Sequence, residues 1–260
     1  MGNDLTITTW NVNSIRARID HVSEYLAEHE PDIVCLQETK VEDALFPRVP
    51  FMELGYEVTI HGGRALCGVA TLTKAKPQEV NAGFLEGPDD KHPRILNVLV
   101  DGVRVYNLYV PNGTSLGSEA FAYKLAWLER LREEIAGHYT ADQDILVVGD
   151  FNIALEDRDV YDPEQLRGQM LFTDDEKSRL RALLDFGFTD CFRKHQPEGG
   201  HYTWFDYRTQ GFERNEGFRI DHVYATASMA ERCIGVMHDS KPRGWDVPSD
   251  HLPVTARFRR

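Results

Sequence analysis

The sequence predicts an α/β fold in which β-sheets pack face to face with helices outside. Three observations predict it. Short apolar or alternating runs of strand length recur from one end of the chain to the other, and segments with helical spacing of apolar residues interrupt them. No stretch rich in Pro, Gly or Ser divides the chain, and no short-period repeat or low-complexity tract runs through it. A chain of 260 residues can bury a substantial core, and the whole length, 1–260, is expected to form one domain.

Leu5 to Trp10 alternates as a strand does; Ile15, Ile19, Val22 and Leu26 then recur at helical spacing until Pro31 ends the pattern. Ile33 to Leu36 is an apolar run of strand length that delivers Gln37 and Glu38 to a sheet edge. Strand-like runs follow at Glu57 to Ile60, Gly68 to Thr73, Ile95 to Val100 and Val103 to Val110, the last two joined by Asp101-Gly102, a hairpin-turn dipeptide. Glu119 to Ala136 reads as a helix with Phe121, Leu125, Leu128, Leu131 and Ile135 on one face. Ile145 to Val148 is the next strand, and a polar stretch from Glu156 to Gly168 precedes a helix at Asp174 to Phe186. Strands near Phe218 to Ala225, Cys233 to Met237 and Val254 to Phe258 complete the order.

Composition narrows the class. With 42% hydrophobic and 27% charged residues, and no segment approaching the roughly 20 apolar residues that span a bilayer, the chain reads as a soluble enzyme. Met1-Gly2-Asn3-Asp4 leads straight into a strand without the basic-then-apolar order of a secretory signal, so a cytoplasmic location is expected. Cys35, Cys67, Cys191 and Cys233 form no CxxC pair and are expected to be reduced, buried thiols with neither zinc nor a disulfide framework. A net charge of −13 opposes holding nucleic acid by bulk charge; such a substrate would need a local basic face and a bound cation.

Several strand candidates end in side chains of one chemical kind. Asn11 and Asn13 follow the first, Glu38 the second and Asp150 with Asn152 the strand at Ile145 to Val148; Asp221 and the pair Asp250-His251 stand beside later ones. Singly, an Asp or Asn at a strand end is more often a turn former. Together, carboxylates, carboxamides and a histidine without thiols make an oxygen-rich set suited to a hard cation and to phosphate chemistry. Asp157, Asp159 and Asp162 fail as a calcium loop, because Asp162 stands where an EF-hand needs Gly and Gly168 where it needs Glu. His61-Gly62-Gly63-Arg64 is too short for a phosphate loop and reads as a turn.

In order along the chain, Thr9-Trp10-Asn11-Val12-Asn13, Leu36-Gln37-Glu38-Thr39-Lys40, Tyr109-Val110-Pro111-Asn112-Gly113, Gly149-Asp150-Phe151-Asn152, Trp204-Phe205-Asp206-Tyr207-Arg208, Arg219-Ile220-Asp221 and Ser249-Asp250-His251-Leu252-Pro253-Val254 resemble the exonuclease III branch of the endonuclease, exonuclease and phosphatase superfamily. The resemblance spans essentially the whole chain. It implies a four-layer α/β sandwich, two mixed β-sheets face to face with helices outside.

What the resemblance implies for chemistry is a Mg²⁺-dependent DNA-repair phosphodiesterase, Mn²⁺ being a substitute ion. It would act as a monomer on double-stranded DNA that carries abasic sites or blocked 3′ ends, cutting 5′ to the abasic site, cleaning 3′ ends and degrading 3′ to 5′. Glu38 is then the principal metal ligand, with Asn13 and Asp250 beside the ion; Asn13 stands where some relatives carry Asp, which loosens the site. Asp150 orients and deprotonates the attacking water, while His251, oriented by Asp221, either donates a hydrogen bond to the phosphate or is itself the base; the resemblance leaves that choice open. Asn11, Tyr109 and Asn152 are donors to the transition state or to Asp150, and Tyr109 is also a candidate to protonate the leaving oxygen. Trp204 and Phe205 would wall a pocket for an extruded abasic sugar, with core packing as the rival reading for both. Asn112, Arg208 and Lys124 are further substrate-contact candidates, and Arg214, Arg219 and Arg243 lie in segments that can pair with phosphates. Rival functions are a nonspecific nuclease or a phosphoinositide or lipid phosphatase of the same superfamily, and a DNA-binding module without catalysis.

Overall fold

A computed structural model describes residues 4–63 and 67–260; Met1 to Asn3 of the N-terminal reading and Arg64 of the expected turn lie outside the described residues. The strands are β1 (Leu5–Asn11), β2 (Ile33–Gln37), β3 (Glu57–His61), β4 (Val69–Thr73), β5 (Glu79–Ala82), β6 (Ile95–Val100), β7 (Val103–Tyr109), β8 (Ile145–Asp150), β9 (Phe188–Asp190), β10 (Asp221–Thr226), β11 (Cys233–His238) and β12 (Val254–Phe258). They form two six-stranded sheets, ordered β11-β12-β1-β2-β4-β3 and β5-β6-β7-β8-β10-β9. Both are mixed: β1 with β2 and β7 with β8 run parallel, while their outer neighbours pair antiparallel.

Strand apolarity follows from coverage on both faces. On β8, Leu146 and Val148 point between the sheets and meet Ile7, Cys35 and Val69 of the other sheet, whereas Ile145 and Val147 point outward under Leu128, Leu131, Leu180 and Leu183. Those leucines belong to helices Glu119–His138 and Asp174–Leu184. On the opposite outer face Val22, Tyr25 and Leu26 of helix Ile19–His29 cover Val34 and Leu36. The result is helix, sheet, sheet, helix. No helix among the described residues is long and apolar enough to cross a membrane. All four cysteines are free and buried.

A polar contact crosses the apolar interior. Gln37 at the end of β2 donates from Nε2 to Oδ1 of Asn107 on β7 at 2.8 Å and to Thr9 Oγ1 at 2.9 Å, and Asn107 Nδ2 donates in turn to the carbonyl of Ala70 at 2.9 Å. A buried amide pair of this kind is stable because its partners replace the water it has lost.

Departures from the expected elements have local causes. The helix expected from Ile15 breaks after a 3₁₀ turn, Ile15–Ala17, where Arg18 turns its guanidinium to the carbonyls of Asn13, Val247 and Pro248. The strand expected from Phe218 begins only at Asp221, because Phe218 bridges Val160 and Trp204 instead. The Asp101-Gly102 hairpin forms as expected, both residues at positive φ (52° and 78°).

Candidate active site

Parallel neighbours end at the same edge of a sheet, and that is how distant residues meet here. Asn11 pairs in register with Gln37, so the next residue, Glu38, emerges beside it; Tyr109 pairs with Asp150 on β7 and β8, and Asp221 opens β10 opposite Asp150. Asp250 and His251 arrive on the segment before β12, tied to β1 by the Ser249 hydroxyl, which donates to the Asn11 carbonyl at 2.7 Å. Asn13, Glu38, Lys40 and Asn152 all sit at positive φ, between 45° and 53°, a backbone region that non-glycine residues seldom occupy and that is concentrated at functional edges.

Asp150 is the hub. Its carboxylate accepts from Asn11 Nδ2 at 2.9 Å, from the Asn152 backbone N–H at 2.8 Å and from Asn152 Nδ2 at 3.3 Å. His251 Nε2 lies 3.8 Å from Asp150 Oδ2, and His251 Nδ1 is 2.9 Å from Asp221 Oδ2. Burial pushes the Asp150 carboxyl up to about 7, reinforced by the Asp221 charge and opposed by His251 and Asn11. Burial acts the other way on His251, but the carboxylates of Asp221 and Asp150 outweigh it and raise the imidazole to about 10. Burial, with the charges of Glu38 and Asp150, holds the Tyr109 phenol well above its ordinary value, so it keeps its proton as a donor toward Glu38.

The structure brings one carboxylate oxygen or ring nitrogen of each of Glu38, Asp150 and His251 within 4.8 Å of one another, the one such group among the described residues. Asn11 Nδ2 also reaches Glu38 Oε1 at 2.9 Å. Asp250 stands next to this group, accepting from Asn13 Nδ2 and from Trp204 Nε1, each at 3.0 Å. A residue that motif reading passed over completes the edge: Lys40 places its ammonium 2.9 Å from Glu38 Oε2 and 2.6 Å from Asn13 Oδ1. Two of the expected metal ligands therefore already hold a cationic centre with oxygen donors, which is the chemistry a hard divalent ion requires.

Beside this edge lies a cavity of about 500 Å³ lined by Asn112, Tyr161, Met170, Leu171, Trp204 and Phe218, with Arg208 and Arg214 at its rim. Trp204 and Asn112 both line this cavity. Arg208 is exposed but paired with Asp206, and Arg214 is paired with Glu216. Three expectations are corrected. Phe205 packs in a small core with Tyr202, Leu252 and Phe212 rather than facing the cavity, because it follows Trp204 on a bridged, strand-like segment where successive side chains point to opposite sides. Lys124 is fully buried and ion-paired with Glu176, so it offers nothing to a phosphate. Arg219 is also buried, its guanidinium held by Asp159 and Asp190. Lys124 had a legible sign, since it falls on the same helix stripe as Phe121, Leu128 and Leu131.

Residues 8–251 match the Endonuclease/Exonuclease/phosphatase family. The exodeoxyribonuclease III of Haemophilus influenzae is 34% identical over 96% of this chain and 98% of its own length. Among solved structures, an AP endonuclease from Archaeoglobus fulgidus superposes with a TM-score of 0.94 at 39% identity, covering 98% of this chain and 99% of that one. The 3′ phosphatase NExo from Neisseria, bound to a product DNA hairpin, gives 0.94 at 39% identity over 98% of this chain and all of its own.

Proposed function

Because the chain belongs to the endonuclease/exonuclease/phosphatase family, as a hydrolase of the exonuclease III and AP endonuclease type, we propose that it cleaves DNA 5′ to abasic sites. In the same reading it trims blocked 3′ ends, with Mg²⁺ as the working ion and Mn²⁺ as a substitute. The observation that carries this reading is the convergence of Glu38, Asp150 and His251 beside a cavity walled by Trp204. A cavity with the Trp204, Leu171 and Phe218 side chains in its wall, next to a phosphate-handling edge, suits a sugar turned out of the helix.

Glu38 would hold the ion, with Asn13 and Asp250 adjacent, and a hard cation there withdraws charge from a non-bridging phosphate oxygen. The division of labour between Asp150 and His251 follows from their surroundings. His251, raised to about 10 between two carboxylates, is a cation near neutral pH and serves as hydrogen-bond donor to the phosphate. Asp150, its carboxylate held by Asn11 and Asn152 and 3.8 Å from His251, accepts the proton of the attacking water. Asn11 and Asn152 fix its carboxylate through the bonds described above. Tyr109, which keeps its proton, is the donor to the leaving oxygen in this reading.

A duplex carrying one abasic analogue, an intact duplex and a phosphoinositide, each with Mg²⁺, test this reading. Incision on the 5′ side of the analogue is expected, with the intact duplex shortened only from its 3′ ends. Release of phosphate from the phosphoinositide without incision of DNA would overturn it.

A further inference from the structure

Lys124 uses all three ammonium donors in the dark interior of the protein. It bonds the Asn152 carbonyl at 2.7 Å, the Asn112 carbonyl at 3.2 Å and the Glu176 carboxylate. Glu176 in turn accepts from the backbone N–H of Leu171 at 3.2 Å, from that of Thr173 at 3.0 Å and from the Thr173 hydroxyl at 2.8 Å. Burial lowers the Lys124 ammonium from its ordinary value, opposed by the Glu176 charge.

The two segments joined by this pair share an unusual feature. Asn152, at the catalytic edge, has φ 51°, and Leu171, in the cavity wall, has φ 71°. A left-handed leucine is rarer than a left-handed asparagine, and such a backbone persists only where its surroundings hold it. Each of these two residues receives a hydrogen bond from, or gives one to, the same ion pair.

We propose that Lys124 and Glu176 are positioning residues that clamp the Asn152 loop to the Gln169–Leu171 cavity wall and so set the spacing between bond-breaking edge and recognition pocket. An apolar pair of similar volume would keep the packing but would leave these backbone groups, and the Thr173 cap of the helix Asp174–Leu184, without their partners. What an apolar pair cannot do is bond two carbonyls on one side and two backbone N–H groups on the other. The kinetic half of this proposal rests on the abasic-site reading above; the structural half does not.

The double variant K124M/E176L separates the roles. Expected is a lowered melting temperature and, assayed well below it, kcat on an abasic duplex reduced between about tenfold and about a hundredfold with KM raised several-fold. Amide hydrogen exchange is expected to quicken in residues 152–154 and 169–173 together. Unchanged kinetics and exchange in a folded double variant would reduce the pair to packing, and faster exchange in one segment alone would remove the link. Should the double variant not fold, E176Q decides by the same exchange measurement, unchanged rates at 169–173 overturning the proposal. Exchange needs no substrate, so failure of the unaltered protein to cut abasic duplexes would sink the functional reading while leaving this test intact.

Discussion

Asp150 accepts three hydrogen bonds on its two carboxylate oxygens, and an amide in its place would turn an NH₂ group toward at least one of those donors and could no longer accept a proton from water. Asp150→Asn is therefore expected to abolish incision while DNA binding, read by gel shift, stays near normal. His251→Asn is expected to slow single-turnover incision by about 10² to 10⁴, the range for losing a positioned proton-handling group. Near-normal cutting by either variant would remove that residue from its role. His222 gives a stability prediction. Its Nε2 faces the Ile153 carbonyl at 2.8 Å and its Nδ1 faces Arg219 at 3.0 Å, an arrangement that fits the neutral ring. Burial, with the Arg219 charge, lowers its pKa to about 4 from an ordinary 6.5. The unfolded chain binds the proton more readily, so this contribution is complete above pH 6.5 and is lost as pH falls toward 4; it amounts to on the order of 3 kcal/mol. Melting temperatures of the unaltered protein and of His222→Gln should accordingly converge between pH 7 and pH 4.5.

At the scale of elements, β8 reaches its polar end only because Gly149 lets it lie close to β7. Gly149 has φ 142°, and a Cβ there would sit 1.9 Å from the Leu108 carbonyl oxygen. Gly149→Ala is expected to cost on the order of 3 kcal/mol and to lower the melting temperature by roughly 5–10 °C, measured calorimetrically. Strands and long helices were legible in the sequence wherever burial imposed a period: β1, β2, β8 and β12 read within a residue or two. Strands β5 and β9 did not, since Glu79–Ala82 is largely exposed on an edge and Phe188–Asp190 is three residues long. In the site, the strand-end carboxylates and amides were legible because parallel pairing carries such residues to one edge. Arg219 and Phe205 were misread because charge and aromaticity say nothing about direction, and Lys124 because its charge was weighed above its place on the apolar helix stripe; the two cations find carboxylates far away in sequence, at Glu176 and Asp159. Lys40 was within a quoted motif, yet only coordinates show its ammonium between Glu38 and Asn13.

At the scale of the whole molecule, the interior draws on both sheets at once, Ile7, Ile33 and Val69 from one and Val98, Val105 and Val148 from the other. Neither sheet keeps a covered inner face without its partner, so one cooperative transition is expected. Far-UV circular dichroism should trace the same curve as the fluorescence of Trp10 on one side and Trp127 on the other; separated midpoints would mean two folding units. Apolar surfaces resist separation far better than they resist sliding, because contact between methyl groups has no direction. The amide handshake between Gln37 and Asn107 has one, and it lies a single residue from Glu38 and two from Tyr109. With the Asn11 amide that spans Glu38 and Asp150, it works as one of two dowels between a pair of planks: leucines at both of its positions would leave Asn11 alone to keep Glu38 in line with Tyr109 and Asp150.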